Sequence, residues 1–164
     1  MTTSLDLGCG DEPRNHFKAE IAYGVDLKMK WPEVVQADLV VEDIPFPSKT
    51  FDYVTAFDFL EHIPRIIYID GKRRLPFVDL MSEIYRVLKP GGIFFSSTPA
   101  YPHPPAFQDP THVNIITPDT FAEYFDDTKT WARRYGFVGS FHIDGMAWKG
   151  PHLQATLRKV STAP

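Results

Sequence analysis

Three carboxylates, Asp6, Asp26 and Asp38, stand in or at the end of short apolar runs near the start of the chain. Asp6 lies in LDLGCGDEP (5–13), where Gly8 and Gly10 permit unusual backbone angles and close approach of a ligand. A carboxylate there can face a cationic amine across the loop. A helix over Glu12–Glu20 would offer free N–H groups at its start to an anion. A ligand bearing both an ammonium and a carboxylate fits this better than a pyrophosphate. The dinucleotide pattern G-x-G-x-x-G would also need glycine where Pro13 stands. Asp26 follows Gly8 by eighteen residues and is placed to accept both hydroxyls of a ribose. Asp38 could accept from an exocyclic amine.

These acids need elements to hold them at one edge. Ser4–Leu7, Ala22–Asp26, Val34–Asp38, Phe51–Ala56 and Ile93–Thr98 read as strands, the last continuous and apolar as buried parallel strands are. Leu75–Leu88 repeats apolar residues at helical spacing, with Pro76 in its first turn and Pro90-Gly91-Gly92 as its stop. Thr117–Phe125 reads as a short helix, and 136–143 and 153–160 as two late strands forming an antiparallel edge pair. The fold class expected is α/β: a Rossmann-like, doubly wound, mostly parallel sheet with helices on both faces, in a single domain spanning 1–164. Ligands in such sheets bind beyond the carboxyl ends of the strands, where the acids lie.

Composition narrows the partners. The chain has 164 residues, a net charge of −4, 43% apolar residues and one cysteine. The charge gives no electrostatic case for nucleic acid. A lone cysteine fits a reducing, cytoplasmic setting, and no apolar run approaches the roughly 20 residues that span a bilayer. Cys9 reads as a small loop residue and not as a nucleophile.

Amino acid, ribose and amine-bearing base together describe S-adenosylmethionine, whose sulfonium also suits an acidic pocket. Over roughly its first hundred residues the sequence resembles class I S-adenosylmethionine-dependent methyltransferases. LDLGCG resembles their first motif and GVD (24–26) their ribose acid. ADLVVEDIPFPSKTFDYVTAFDFLEHI (37–63) resembles their middle motifs, and RVLKPGGIFFSSTP (86–99) their turn into the fifth strand. The resemblance implies that Asp6, Gly8, Cys9 and Gly10 hold the methionine end and that Asp26 and Leu27 lie at the ribose. Asp38 and Leu39 would flank the adenine, and Phe57 and Asp58 would line the pocket. LEHI, EIYRVLKPGG and DPTH in that order are similar to small methyltransferases found with glycan-assembly enzymes, which implies O-methylation of a sugar or glycan-linked hydroxyl. Such enzymes usually carry helices before the first strand. Here the N-terminal helices are missing, only Met1–Ser4 preceding it, so an open site is expected, or one covered by a loop or by a second copy in a homodimer.

The segment 99–119 holds six of the chain's fifteen prolines and reads as an active-site loop. A hydroxyl acceptor gains from a general base. His112 is the first candidate, with Asp109 to orient it, His62 the second, and His103, expected at the surface, the third. Tyr101 and Phe107 could stack on a sugar. Asp58, His62, Asp109 and His112 are suitable ligand types for a divalent ion, but their spacing matches no metal motif, so no metal ligand is assigned and a metal site stays an open alternative. The competing readings are a small-molecule acceptor and a non-catalytic module that binds the cofactor or a partner. An amino-methylating DNA enzyme would carry Asn/Asp-Pro-Pro-Tyr/Phe where this chain has FDFL (57–60).

Overall fold

The computed structural model describes residues 1–28 and 32–161. Strands β1 (Thr3–Leu7), β2 (Ile21–Asp26), β3 (Val34–Gln36), β4 (Phe51–Phe57) and β7 (Leu88–Pro99) run parallel. Strands β8 (Phe141–Lys149) and β9 (His152–Lys159) complete the seven-stranded sheet, ordered β3-β2-β1-β4-β7-β9-β8. Strand β9 lies antiparallel to both β7 and β8, the edge pair that the sequence predicts. The order reverses between β1 and β4, which fixes the ligand crevice at the carboxyl ends of those strands. A small hairpin, β5 (Ile67–Ile69) and β6 (Lys72–Arg74), stands apart from the sheet.

Helix α1 (Pro76–Val87) buries Phe77, Leu80, Met81, Ile84 and Val87, the helical stripe read from the sequence, against one face of the sheet. Leu5, Leu7, Val25, Val54, Phe94, Leu153 and Leu157 meet it from the strands. Two shorter helices, α2 (Pro105–Gln108) and α3 (Pro118–Tyr124), follow β7. Pro90-Gly91-Gly92 does not stop α1. The helix already ends at Val87, and these residues open β7, where pairing with β4 jumps from Phe51↔Leu88 to Tyr53↔Ile93. Buried Lys159 donates from Nζ to the carbonyls of Tyr85 and Leu88, capping the C-terminal end of α1 with a cation.

Two further expectations are corrected. Residues 12–20 form turns and not a helix, so no helix start faces the glycine loop. Asn15 closes a small ring on Ala19, its Nδ2 donating to the Ala19 carbonyl and its Oδ1 accepting from the Ala19 N–H. Lys18 adopts φ 54° inside that ring, a conformation no α-helix contains. This segment, instead of a helix, covers the second sheet face around Phe95. His16 stacks on Phe95 with ring centroids 4.5 Å apart, Phe17 stacks on Tyr53 at 4.4 Å, and the Arg14 guanidinium lies over Phe57. The strand read at 136–143 begins only at Phe141. Gly136 ends a 3-10 turn at φ 99°, and Gly139 lies so close to Phe137 and Tyr85 that it packs under α1 instead of joining the sheet.

Candidate active site

The turn after β1 is built on positive φ, 64° at Gly8 and 68° at Gly10. The Gly8 N–H donates to the Val25 carbonyl at 2.9 Å, and the Gly10 N–H donates to Asp26 Oδ2 at 2.9 Å. The ribose acid of the sequence reading is therefore also the strut that shapes the glycine loop. Beyond these strands lies a cavity of about 330 Å³, in the range of ligand sites. Gly8, Asp26, Leu27, Asp38, Leu39 and Asp58 all line it, six of the ten residues expected to hold the cofactor. Gly10 and Cys9 support it from the loop, and Phe57 faces the aromatic cluster on the second sheet face.

Phe59, which the sequence reading passed over, takes the wall position instead. Asp58 turns the chain at φ 49°, so the residue after it swings into the cavity. A Cβ at Gly8 would lie 2.2 Å from Phe59 Cδ2. Gly8→Ala is therefore expected to lower stability by about 2 kcal/mol, from left-handed backbone strain and a displaced Phe59. It should also abolish saturable cofactor binding in calorimetry, because the displaced ring is a cavity wall. A variant that melts and binds like wild type would show that Phe59 moves freely.

Asp6 stands behind the loop, 2% exposed. Its Oδ1 accepts from the Thr55 hydroxyl at 2.7 Å and its Oδ2 from the Arg14 N–H at 2.8 Å. Burial pushes its carboxyl up to about 6, against the lowering effect of both hydrogen bonds. A ligand at the loop would therefore meet its charge through the backbone and not by an open contact. Burial, with the nearby Asp6 and Asp26 charges, pushes the Cys9 thiol up to about 12, which keeps it protonated near neutral pH.

The acceptor side gathers around β4 and the loop after β7. His152 Nε2 meets Asp58 Oδ1 at 2.7 Å. Glu61, in a 3-10 turn at Leu60–His62, is buried, and its Oε2 accepts from the Thr98 hydroxyl at 2.6 Å. Desolvation holds the Glu61 carboxyl above its usual range. His62 lines the cavity, with its Nδ1 3.0 Å from the Thr111 hydroxyl, which donates to Asp109 Oδ1 at 2.6 Å. The Thr111 hydroxyl and N–H keep Asp109 below its ordinary value. His112 packs edge-on against His62, with ring centroids 4.8 Å apart. The structure thus brings His62, Asp109 and His112 together, as the loop reading expects. His103 is not at the surface as expected: it is half-buried against Trp148. Tyr101 and Phe107 are exposed and meet edge to face.

Glu61 and His152 were not singled out by sequence reasoning. Glu61 carried a signal, a carboxylate beside a histidine in LEHI. His152 carried none, because its partner is 94 residues away. A larger hollow of about 630 Å³, lined by Phe77, Tyr101, Tyr124, Phe125 and Tyr135 among others, lies away from the strand-end acids and is mainly apolar.

Residues 3–137 match a family described as a methyltransferase domain. A sterol methyltransferase-like protein of Botryococcus braunii is 32% identical over 99 residues, covering 59% of this chain and 22% of that protein. The chain thus spans about a fifth of that relative's length. An S-adenosylmethionine-dependent methyltransferase structure from Archaeoglobus fulgidus superposes with TM-score 0.60 at 18% identity, over 96% of this chain and 86% of that one. The structure of the cyclase SpnF superposes with TM-score 0.64 at 17% identity, over 98% and 75%. At these identities the two likenesses are of fold alone. Among the described residues no helix is long and apolar enough to cross a membrane.

Proposed function

This chain belongs to the methyltransferase-domain family, and from that premise we propose that it binds S-adenosylmethionine and methylates a hydroxyl of a sugar or glycan-linked acceptor. The observation that carries the reading is the pair Asp26 and Asp38, after adjacent parallel strands, on one cavity with the Gly8 turn. A fold shared with a cyclase does not choose a reaction, but that pairing suits an adenosyl ligand. The cofactor supplies a methyl group activated by a sulfonium.

The chain supplies the rest. Asp26 holds the ribose hydroxyls, Asp38 and Leu39 flank the adenine, and the Gly8 turn lets the backbone come close. The acids Asp6, Asp26 and Asp38 give the cavity a negative potential that suits a cation. The hydroxyl proton of the acceptor would pass to His152 as the methyl group moves from sulfur to that oxygen, the methyl–sulfur bond breaking to leave S-adenosylhomocysteine. Asp58 orients that imidazole and balances the charge it gains. This assignment replaces His112, whose side chain is only 9% exposed and turns inward. His62, Asp109 and His112 stand on the acceptor side, and exposed Tyr101 and Phe107 offer flat faces to a sugar.

One observation favours a second acceptor class. The apolar hollow beside Tyr101 suits a substrate with a bulky hydrocarbon body, in line with the sterol methyltransferase-like relative. The test is transfer of an isotope-labelled methyl group to a panel of free sugars, glycans and apolar alcohols, with release of S-adenosylhomocysteine. Label on a sugar hydroxyl supports the first reading and label on an apolar alcohol the second; cofactor binding without transfer to any member would leave a non-catalytic module. With an accepted substrate, His152→Gln is expected to lower turnover about a hundredfold at unchanged cofactor affinity. Unchanged turnover would remove His152 as the proton acceptor.

A further inference from the structure

We infer that Glu61, His62 and His112 bind one divalent ion of the first transition series beside the cofactor cavity, where it seats the acceptor oxygen. The ion's task rests on the methyl-transfer reading above; the site rests on geometry. One donor atom of each of the three residues lies within 4.8 Å of the other two. Glu61 is 1% exposed, yet its Oε1 has no hydrogen-bond partner. The His112 side chain is 9% exposed, and its Nδ1 has no partner either. Two orphaned polar atoms buried in one cluster call for a shared ligand, since each alone costs stability.

The surrounding hydrogen bonds leave these atoms as lone-pair donors. Ionised Asp109 can only accept, so it takes the single hydroxyl proton of Thr111. The Thr111 oxygen must then accept from His62 Nδ1–H, which puts the free lone pair of His62 on Nε2. Asp109 Oδ2, 4.0 Å from His112 Nε2, favours the proton on that nitrogen and leaves Nδ1 as the donor. Thr98 occupies Glu61 Oε2 and leaves Oε1 for the ion.

The frame is rigid. The N–H groups of Val113 and Asn114 both donate to the Glu61 carbonyl, and Asn114 Nδ2 donates to the Leu60 carbonyl. Two imidazoles and one carboxylate suit zinc, iron or manganese better than magnesium or calcium. Bonds of about 2.1 Å bring ligand atoms roughly 3.4 Å apart in a tetrahedron, so the three side chains draw inward on binding. Positions left open on the ion face the cavity through His62. An ion there would acidify an acceptor hydroxyl and hold it at the edge of the cofactor cavity. His112 is then a ligand and not a base. The other cluster, Asp126, Asp127 and His142, is weaker, because the Asp126 oxygens already accept from Thr128 and Ile143.

The test is titration of the full chain, stripped with chelator, with cobalt(II), read by visible ligand-field absorption and by calorimetry. One ion per chain is expected. His62→Ala and His112→Ala, each checked for folding by circular dichroism, should weaken binding by well over the roughly tenfold expected for the positioning variant Asp109→Asn. His142→Ala should leave it unchanged. Absence of binding by cobalt, zinc and manganese at millimolar concentration would overturn the inference. So would binding that survives in both folded histidine variants, or that is lost only in His142→Ala. Calorimetry with S-adenosylmethionine on the same stripped protein separates the two proposals. Cofactor binding without metal binding overturns the ion alone, and metal binding without cofactor binding overturns the methyl-transfer reading alone.

Discussion

Asp26→Ala is expected to weaken S-adenosylmethionine binding about a thousandfold. Hydrogen bonds to a charged acceptor are worth about 1.5–3 kcal/mol each, and two ribose hydroxyls on one carboxylate put the loss near 4 kcal/mol. The structure adds a second route to the same loss. Asp26 Oδ2 holds the Gly10 N–H, so its removal also frees the loop that must approach the ligand. Asp26→Asn separates the two routes. Its carbonyl can still accept from Gly10 and from one hydroxyl, so a drop of only about tenfold to thirtyfold is expected. Both variants should melt within a few degrees of wild type, since the side chain is only half-buried and anchors one turn. Calorimetric affinities within threefold of wild type for Asp26→Ala would remove the ribose contact and with it the main support for the cofactor assignment.

What was legible in the sequence follows what each residue's neighbours could reveal. The parallel strands were readable because they are buried apolar runs, and the acids that end them mark where each run leaves the core. That is why Asp26 and Asp38 read from the sequence as lying on one edge. Residues 12–20 misled because the place of a helix after the glycine loop says nothing of an Asn15 ring on Ala19, a local hydrogen-bond pattern that competes with the helix. The antiparallel pair was readable as two late β-rich segments, but the first began five residues late, because Gly136 and Gly139 serve a turn and a close contact with α1.

Within the site, the structure departs from the sequence reading in two physical ways. Phe57 and Phe59 exchange roles because strand alternation sends Phe57 to the second face, and the positive φ of Asp58 then reverses the expected parity. A non-glycine residue in that region is rare and leaves no mark in the sequence. His152 and Glu61 acquire meaning only through tertiary partners, Asp58 just past β4 and the loop carrying His112. Sequence reading ranked His112 as a base because it weighed residue type without burial. The His112 Nδ1 is buried without a hydrogen-bond partner, as is Glu61 Oε1, and that burial supports the ligand role inferred above.

Asp6→Asn is expected to stabilise the protein at pH 7.5 by about 3 kcal/mol and to weaken its hold on the cofactor. The folded carboxyl titrates at about 6 against an ordinary value of 3.8. The folded state therefore binds the proton more tightly than the unfolded chain does. The stability this provides is full below pH 4 and is lost as pH rises through 6. A difference of about two pKa units corresponds to about 3 kcal/mol. Asparagine copies the protonated acid: its carbonyl accepts from the Arg14 N–H, and its amide donates to the Thr55 oxygen. Relative to wild type the variant should melt roughly 6–10 °C higher at pH 7.5 and equally at pH 4. Other titrating groups cancel in that difference, so parallel melting curves across the range would refute the buried charge. The charge is retained at a cost in stability, and a cationic ligand across the glycine loop, as proposed above, would give it a use. Ligand binding favours ionised Asp6, so wild-type affinity should rise through pH 6 with release of a proton, while the variant's affinity stays flat. A wild type without that rise would make Asp6 a post for Arg14 and Thr55 and nothing more.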